Sequence, residues 1–260
     1  MLSFFIHSKL LINMKNKKKL YIIFLSYHRY LSYLHKFFKQ QLRVTPCSPW
    51  LLFFFLFFSI TSAYACDMEG HFWFDVSNEE EILYSGCYDA VNLGPHIIDY
   101  ILTKERAEAT GTRRPSAAFI QHRDGGVLQS LLAENGYCLP HHRDYSHSGY
   151  DRGHMAPNAD FNDTYENALM TFFIANVWPQ KPHTNRVEWL RTENQTRRLA
   201  SEYSSVRVII IVDEFSEGKV GSITIPSCFK RRVYDLETGG LIYEIDVYQE
   251  TEIINPAETE

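Results

Sequence analysis

The first 65 residues contain no aspartate and no glutamate. Nine of the chain's 26 lysines and arginines fall there, which leaves 17 against all 31 acidic side chains and a net charge of −14 beyond residue 65. Such an acid surplus excludes a protein that coats nucleic acid, because that affinity rests on a basic surface. Past residue 65 there is no internal repeat, low-complexity tract or long linker, so residues 66–260 are expected to form one sizeable domain. The apolar run Trp50–Ile60 falls short of the roughly 20 residues a membrane span needs. Cysteine is scarce as well, with five in the chain.

What the leader does contain is ordered like an export signal. Scattered lysines and arginines up to Arg43 precede the apolar run, and Ala63-Tyr64-Ala65 closes it with small residues at the positions a cleavage site requires. The expected mature chain starts at Cys66, is secreted or periplasmic, and keeps no stable membrane association; an uncleaved anchor is the competing reading. Cleavage leaves Cys66, Cys87, Cys138 and Cys228, and an even set in an exported chain favours two disulfides, with three possible connectivities. Proximity would pair Cys66 with Cys87 and leave Cys138–Cys228 as the remainder; free thiols are the competing reading.

Residues 97–103 are β-branched and aromatic and read as a strand, as do 117–120, 223–226 and 241–248. Val206–Val212 is a nearly continuous apolar run, which predicts a central strand buried on both faces. Residues 165–173 suit a helix. The clearest helix runs from Asn185 to about Glu202, with no glycine or proline inside and a cap expected at Thr184/Asn185. Strands and helices without regular alternation indicate an α+β fold. The acidic tail after Gln249 is expected to fray.

The chemistry concentrates in Gly149-Tyr150-Asp151-Arg152-Gly153-His154-Met155-Ala156-Pro157. An imidazole titrates near neutral pH and can take a proton from water; a guanidinium and a carboxylate sit beside it, and the glycine permits a turn or a close approach. Downstream lie Pro179-Gln180, then Asn185, Trp189 and Glu193, which at 100° per residue share one side of a helix. An amide oxygen is a hard, neutral ligand suited to Mg²⁺, an ion that keeps several waters. A carboxylate two turns on can hold those waters by hydrogen bonds.

Asp151-Arg152-Gly153-His154, Pro179-Gln180, Asn185, Trp189 and Glu193 together resemble the DNA/RNA non-specific endonuclease family, to which Serratia nuclease and endonuclease G belong. The likeness covers about residues 80–248 and is tightest over 145–193. It implies a ββα-metal nuclease fold, a central mostly antiparallel sheet flanked by helices. It implies His154 as general base, Asn185 as the one protein ligand of Mg²⁺ (Mn²⁺ as a substitute), and Glu193 orienting water around the metal. Asp151 and Arg152 would shape the site from behind. A phosphate-clamping arginine would come from Arg113-Arg114, with Arg114 preferred. The implied substrates are DNA and RNA, the implied reaction phosphodiester hydrolysis, and a homodimer is an assembly the family uses.

Two departures stand out: Asp213-Glu214 follows the strand 206–212 where the family has a Gly-Pro turn, and Ile225-Pro226-Ser227-Cys228-Phe229-Lys230 replaces its Val-Pro-Thr-x-Phe-x-Lys pattern. A rival reading takes Cys138, His141, His142 and His147 as a zinc cluster in an exported module without catalytic activity. Another takes the fold as a nuclease-like scaffold used only for binding.

Overall fold

The computed structural model describes residues 66–116, 119 and 126–249. The leader, the expected strand 117–120 apart from Phe119, and the acidic tail lie outside them.

Six strands form one sheet in the order β1-β2-β3-β6-β7-β8, with every neighbouring pair antiparallel. They are β1 (His71–Ser77), β2 (Ile82–Asp89), β3 (Gly94–Thr103), β6 (Ser205–Val220), β7 (Ile223–Asp235) and β8 (Leu241–Tyr248). Each joins its sequence neighbour except at β3→β6. That crossover holds helices α1 (Lys104–Ala107), α2 (Val127–Glu134) and α3 (Tyr165–Met170), the hairpin β4 (Asp151–His154)–β5 (Val177–Gln180), and a long helix through Tyr203. The family signature therefore lies on one excursion from the middle of the sheet.

The strand expectations at 97–103, 223–226 and 241–248 fall inside β3, β7 and β8, and the α3 helix is a shorter form of 165–173. The expectation for Val206–Val212 needs correction. Val206, Val208, Ile210 and Val212 are buried, but Arg207, Ile209 and Ile211 are only half-covered. Alternation persists because helices cover one face, and on the other Arg207 spans to Asp99 in a two-pronged ion pair. In β3 the same alternation buries Ile98, Tyr100 and Leu102. These strands and the long helix, which packs over β3 and β6, enclose the core.

β6 runs on to Val220 instead of turning after Val212. Asp213 and Glu214, in the place of the turn, each pair with Lys230 of β7, at 2.8 and 2.7 Å. The two departures from the family pattern thus contact one another across a bulged hairpin.

Cys66 and Cys87 are joined, tying the first described residue to β2. Cys138 and Cys228 are not: Cys138 is an exposed free thiol and Cys228 a buried one. The expected second bridge is corrected on that ground. Cys228 is locked in β7 opposite Tyr248, whereas Cys138 follows α2 on the surface.

Candidate active site

β4 and β5 pair antiparallel, placing Asp151 opposite Gln180, Gly153 opposite Trp178 and His154 opposite Val177. Gly153 serves close approach: a Cβ there would sit 2.0 Å from Gln180 Oε1. Beyond the hairpin end, buried Asn176 clamps the chain after His154. Its Oδ1 accepts from the Ala156 N–H, and its Nδ2 donates to the carbonyls of Ala156 and Thr171.

The helix begins one turn earlier than expected, since the Asn185 N–H already donates to the Lys181 carbonyl at 2.9 Å. Thr184/Asn185 is therefore not its cap. Thr184–Trp189 is a π-helical turn and leads into α4 (Leu190–Tyr203); widened turns of this kind recur at functional sites. Trp189 fixes the helix to the hairpin: its ring is fully buried against Phe229, and its Nε1–H donates to the His154 carbonyl at 3.1 Å. Hairpin and helix together form a ββα unit.

His154 is 8% exposed. Its ring is flanked by Phe119 at 5.0 Å and, edge-on, by Phe172 at 5.2 Å. Nε2 is buried with no hydrogen-bond partner among the described residues. Burial, with the charge of Arg114 behind it, pushes its pKa down to about 3. The lowered pKa favours the neutral ring across the physiological range.

Asp151 lies at the other end of the strand. Its carboxylate accepts from Asn185 Nδ2 at 2.9 Å and from Arg186 Nε and Nη2 at 2.8 and 2.7 Å. Burial pushes its pKa up, but the bonds from Arg186 and Asn185 and the Arg186 charge outweigh it, and the net shift is down. An ionised carboxylate only accepts hydrogen bonds, so the Asn185 amide must turn its nitrogen inward and its oxygen away. Glu193, two turns on, is half-buried. Burial raises its pKa to about 7, against the charges of Arg231, Arg197 and Arg114; Asp160 adds to the rise. Asp160 is fully buried, accepting from Tyr100 Oη and pairing with Arg197, both at 2.7 Å.

Of the two candidate arginines, both exposed, Arg114 faces this region. Its guanidinium lies 5.6 Å from the Phe172 ring that also touches His154, and its charge is felt at His154 and Glu193. No such contact links Arg113 to the site among the described residues. Arg152 donates to the His142 carbonyl, bracing the loop before β4, and lies over the Tyr145 ring and the Phe119 ring that packs on His154.

Sequence reasoning missed Phe119, Phe172 and Arg231. The aromatics carry no motif signal of their own. Arg231 did carry one: it falls in phase with Phe229 and Val233, which are buried in β7.

The residues present fit a hard cation held sparingly. Asn185 Oδ1 is a neutral oxygen donor that accepts no protein hydrogen bond among the described residues, and Glu193 stands two turns along the same helix. No three His, Cys, Asp or Glu converge as a metal cluster among the described residues. That finding also removes the zinc-cluster reading, since Cys138, His141, His142 and His147 do not gather. His141 instead caps a short 3₁₀ turn, accepting from the Arg143 N–H.

Comparison with known proteins agrees with this geometry. The chain is 39% identical over 98 residues to a nuclease of Nostoc sp. (strain PCC 7120), covering 37% of this chain and 35% of that one. It is 31% identical over 136 residues to the mitochondrial nuclease of Saccharomyces cerevisiae (52% and 38%), and 33% over 125 residues to human mitochondrial endonuclease G (48% and 39%). The matches span little more than a third of these relatives' length. In three dimensions it shares the fold of the endonuclease G chain crystallised with its inhibitor EndoGI, with TM-score 0.53, 22% identity, and 71% and 76% of the two chains covered. The family model for DNA/RNA non-specific endonucleases matches residues 74–258, most of the chain, and the protein belongs to that family.

Proposed function

We propose that the protein is an exported, Mg²⁺-dependent endonuclease that hydrolyses phosphodiester bonds in both DNA and RNA. One observation carries the reading: a buried imidazole of lowered pKa lies on a hairpin whose Asp151 holds the nitrogen of the Asn185 amide on the companion helix, leaving its oxygen turned away from Asp151.

His154 takes the proton of the attacking water. Its low pKa keeps it free of protons until an anionic phosphate arrives, whose charge then favours the imidazolium. Phe119 and Phe172 hold the ring and exclude bulk water. Asp151 fixes the Asn185 amide, and Asn185 holds the cation. When bound, Mg²⁺ neutralises charge on the phosphate as a Lewis acid. Glu193 accepts hydrogen bonds from water, and Arg114 clamps the substrate phosphate, a two-pronged match between planar and tetrahedral groups. Contacts of this kind address the backbone and not base edges, so sequence preference is weak and activity falls as salt rises. Export rests on the leader, and amino-terminal sequencing of the released protein should begin at Cys66.

The test is digestion of plasmid and of RNA by the chain starting at Cys66, with Mg²⁺, with a chelator, and with His154→Ala. Cleavage of both polymers in Mg²⁺ alone, lost in the other two arms, is expected. Intact substrates in Mg²⁺ overturn the reading.

A further inference from the structure

Arg231 of β7 is fully buried. It lies opposite Ile210 of β6 and Ile245 of β8, and Ile210 lies opposite Ile98 of β3, so it occupies the face the long helix covers. Its guanidinium carbon is 4.4 Å from the centre of the Trp189 ring, and Nη1 donates to Thr196 Oγ1 at 3.3 Å. Nε and Nη2 are buried without partners among the described residues.

Trp189, Glu193 and Thr196 stand at i, i+4 and i+7 along the helix, hence on one face. Arg231 touches the residues one turn before and one turn after Glu193, so its charge lies against the helix face that carries Glu193. A buried cation with open N–H groups is costly without a counter-charge. Asp160 is already engaged by Tyr100 and Arg197. Glu193 makes no hydrogen bond or ion pair with another side chain among the described residues, and no direct contact joins it to Arg231.

We propose that Arg231 is a positioning residue: a sealed internal cation that favours the ionised, accepting form of Glu193 at the catalytic surface. The proposal rests on the role given to Glu193 above. The charged groups that act on Glu193 are Arg231 from β7, Arg197 from its own helix, Arg114 from the loop after α1, and Asp160 from the turn before α3. Burial is the largest influence on Glu193 and disfavours its charge; Arg231 is the strongest influence opposing it. Arg114 is exposed to solvent, whereas Arg231 is unscreened.

The experiment compares wild type, Arg231→Met and Arg231→Lys in two ways. The first follows the Glu193 carboxylate by carbon-13 NMR in metal-free protein across pH, assigned with Glu193→Gln. The second records the pH profile of plasmid cleavage in Mg²⁺. Arg231→Met should raise the Glu193 midpoint by about one pH unit, as loss of a nearby opposite charge does. The acid limb of cleavage should move with it, and Arg231→Lys should restore both. A wild-type midpoint in Arg231→Met overturns the proposal, as does an Arg231→Lys protein as shifted as Arg231→Met, since that would make shape and not charge the requirement. Should Arg231→Met fail to fold, Thr196→Val loosens the guanidinium from its acceptor: a smaller upward shift is expected, and none overturns the proposal. Absence of cleavage in wild type would sink the nuclease reading alone, because the metal-free titration still decides Arg231.

Discussion

Replacing Asp151 by alanine should uncouple metal affinity from catalysis. The Asp151 carboxylate is the acceptor that turns the Asn185 amide, and its other partner, Arg186, has a side chain 67% exposed. An exposed ion pair contributes little, so the loss falls on Asn185. A hydrogen bond to a charged group is worth about 1.5–3 kcal/mol, equivalent to roughly 10–100-fold in an equilibrium. Without it the amide rotates freely, and its nitrogen can face the cation. The Mg²⁺ concentration for half-maximal plasmid cleavage should therefore rise by roughly 10–100-fold, as loss of outer partners of metal ligands does elsewhere. At saturating Mg²⁺ the maximal rate should stay within a few-fold of wild type, and thermal unfolding should shift by only a few degrees. Arg186→Ala, which leaves the Asn185–Asp151 bond in place, is the control and should change the Mg²⁺ dependence by less than about threefold. An Asp151→Ala enzyme with wild-type Mg²⁺ dependence, or an Arg186→Ala enzyme as impaired as Asp151→Ala, would refute the reasoning.

Other outcomes are equally open to measurement. In single-turnover cleavage His154→Ala should lose roughly 10²–10⁴-fold, the span of general-base catalysis, and Arg114→Ala should weaken substrate binding while Arg113→Ala leaves it near wild type; equal effects of the two arginines would remove Arg114 from the site. His154 has its folded pKa lowered to about 3, so its neutral form stabilises the fold at and above the ordinary histidine range and that stability is lost as pH falls, with a ceiling of about 5 kcal/mol. Glu193 has the opposite sign: with its pKa raised to about 7, its ionisation costs stability as pH rises from the usual carboxylate range to 7, so urea unfolding should find Glu193→Gln more stable than wild type at pH 8 and equal to it at pH 4. In the chain starting at Cys66, a thiol reagent should label Cys138 at once and Cys228 only after denaturation, and reduction of Cys66–Cys87 should cost about 3 kcal/mol in unfolding.

Much of this site was legible because its chemistry is local in sequence. Asp151 and His154 lie on one four-residue strand, and Asn185 and Glu193 lie on one helix with no internal glycine or proline. The helix's start was not legible. The turn ends at Trp189, whose ring packs on Phe229 and whose N–H reaches the His154 carbonyl, and both partners are remote in sequence. Of the cysteine pairings only the second failed: Cys66–Cys87 closes a short segment, whereas Cys138 is exposed after α2 and Cys228 is buried in β7.

The sequence by itself determined which residue types could do the chemistry, the periodicity that makes them strand or helix, and the acid surplus that rules out a nucleic-acid coat. Residue identity and spacing suffice for that, since they act through nearest neighbours along the chain. Only the tertiary structure decided which way each side chain turns. It faced Arg114 rather than Arg113 toward His154, walled the imidazole between Phe119 and Phe172, sent Arg152 to the His142 carbonyl, and buried Arg231 against Trp189. Those outcomes depend on burial and on charges brought together by the β3→β6 excursion, and neither exists until the helix lies on the sheet.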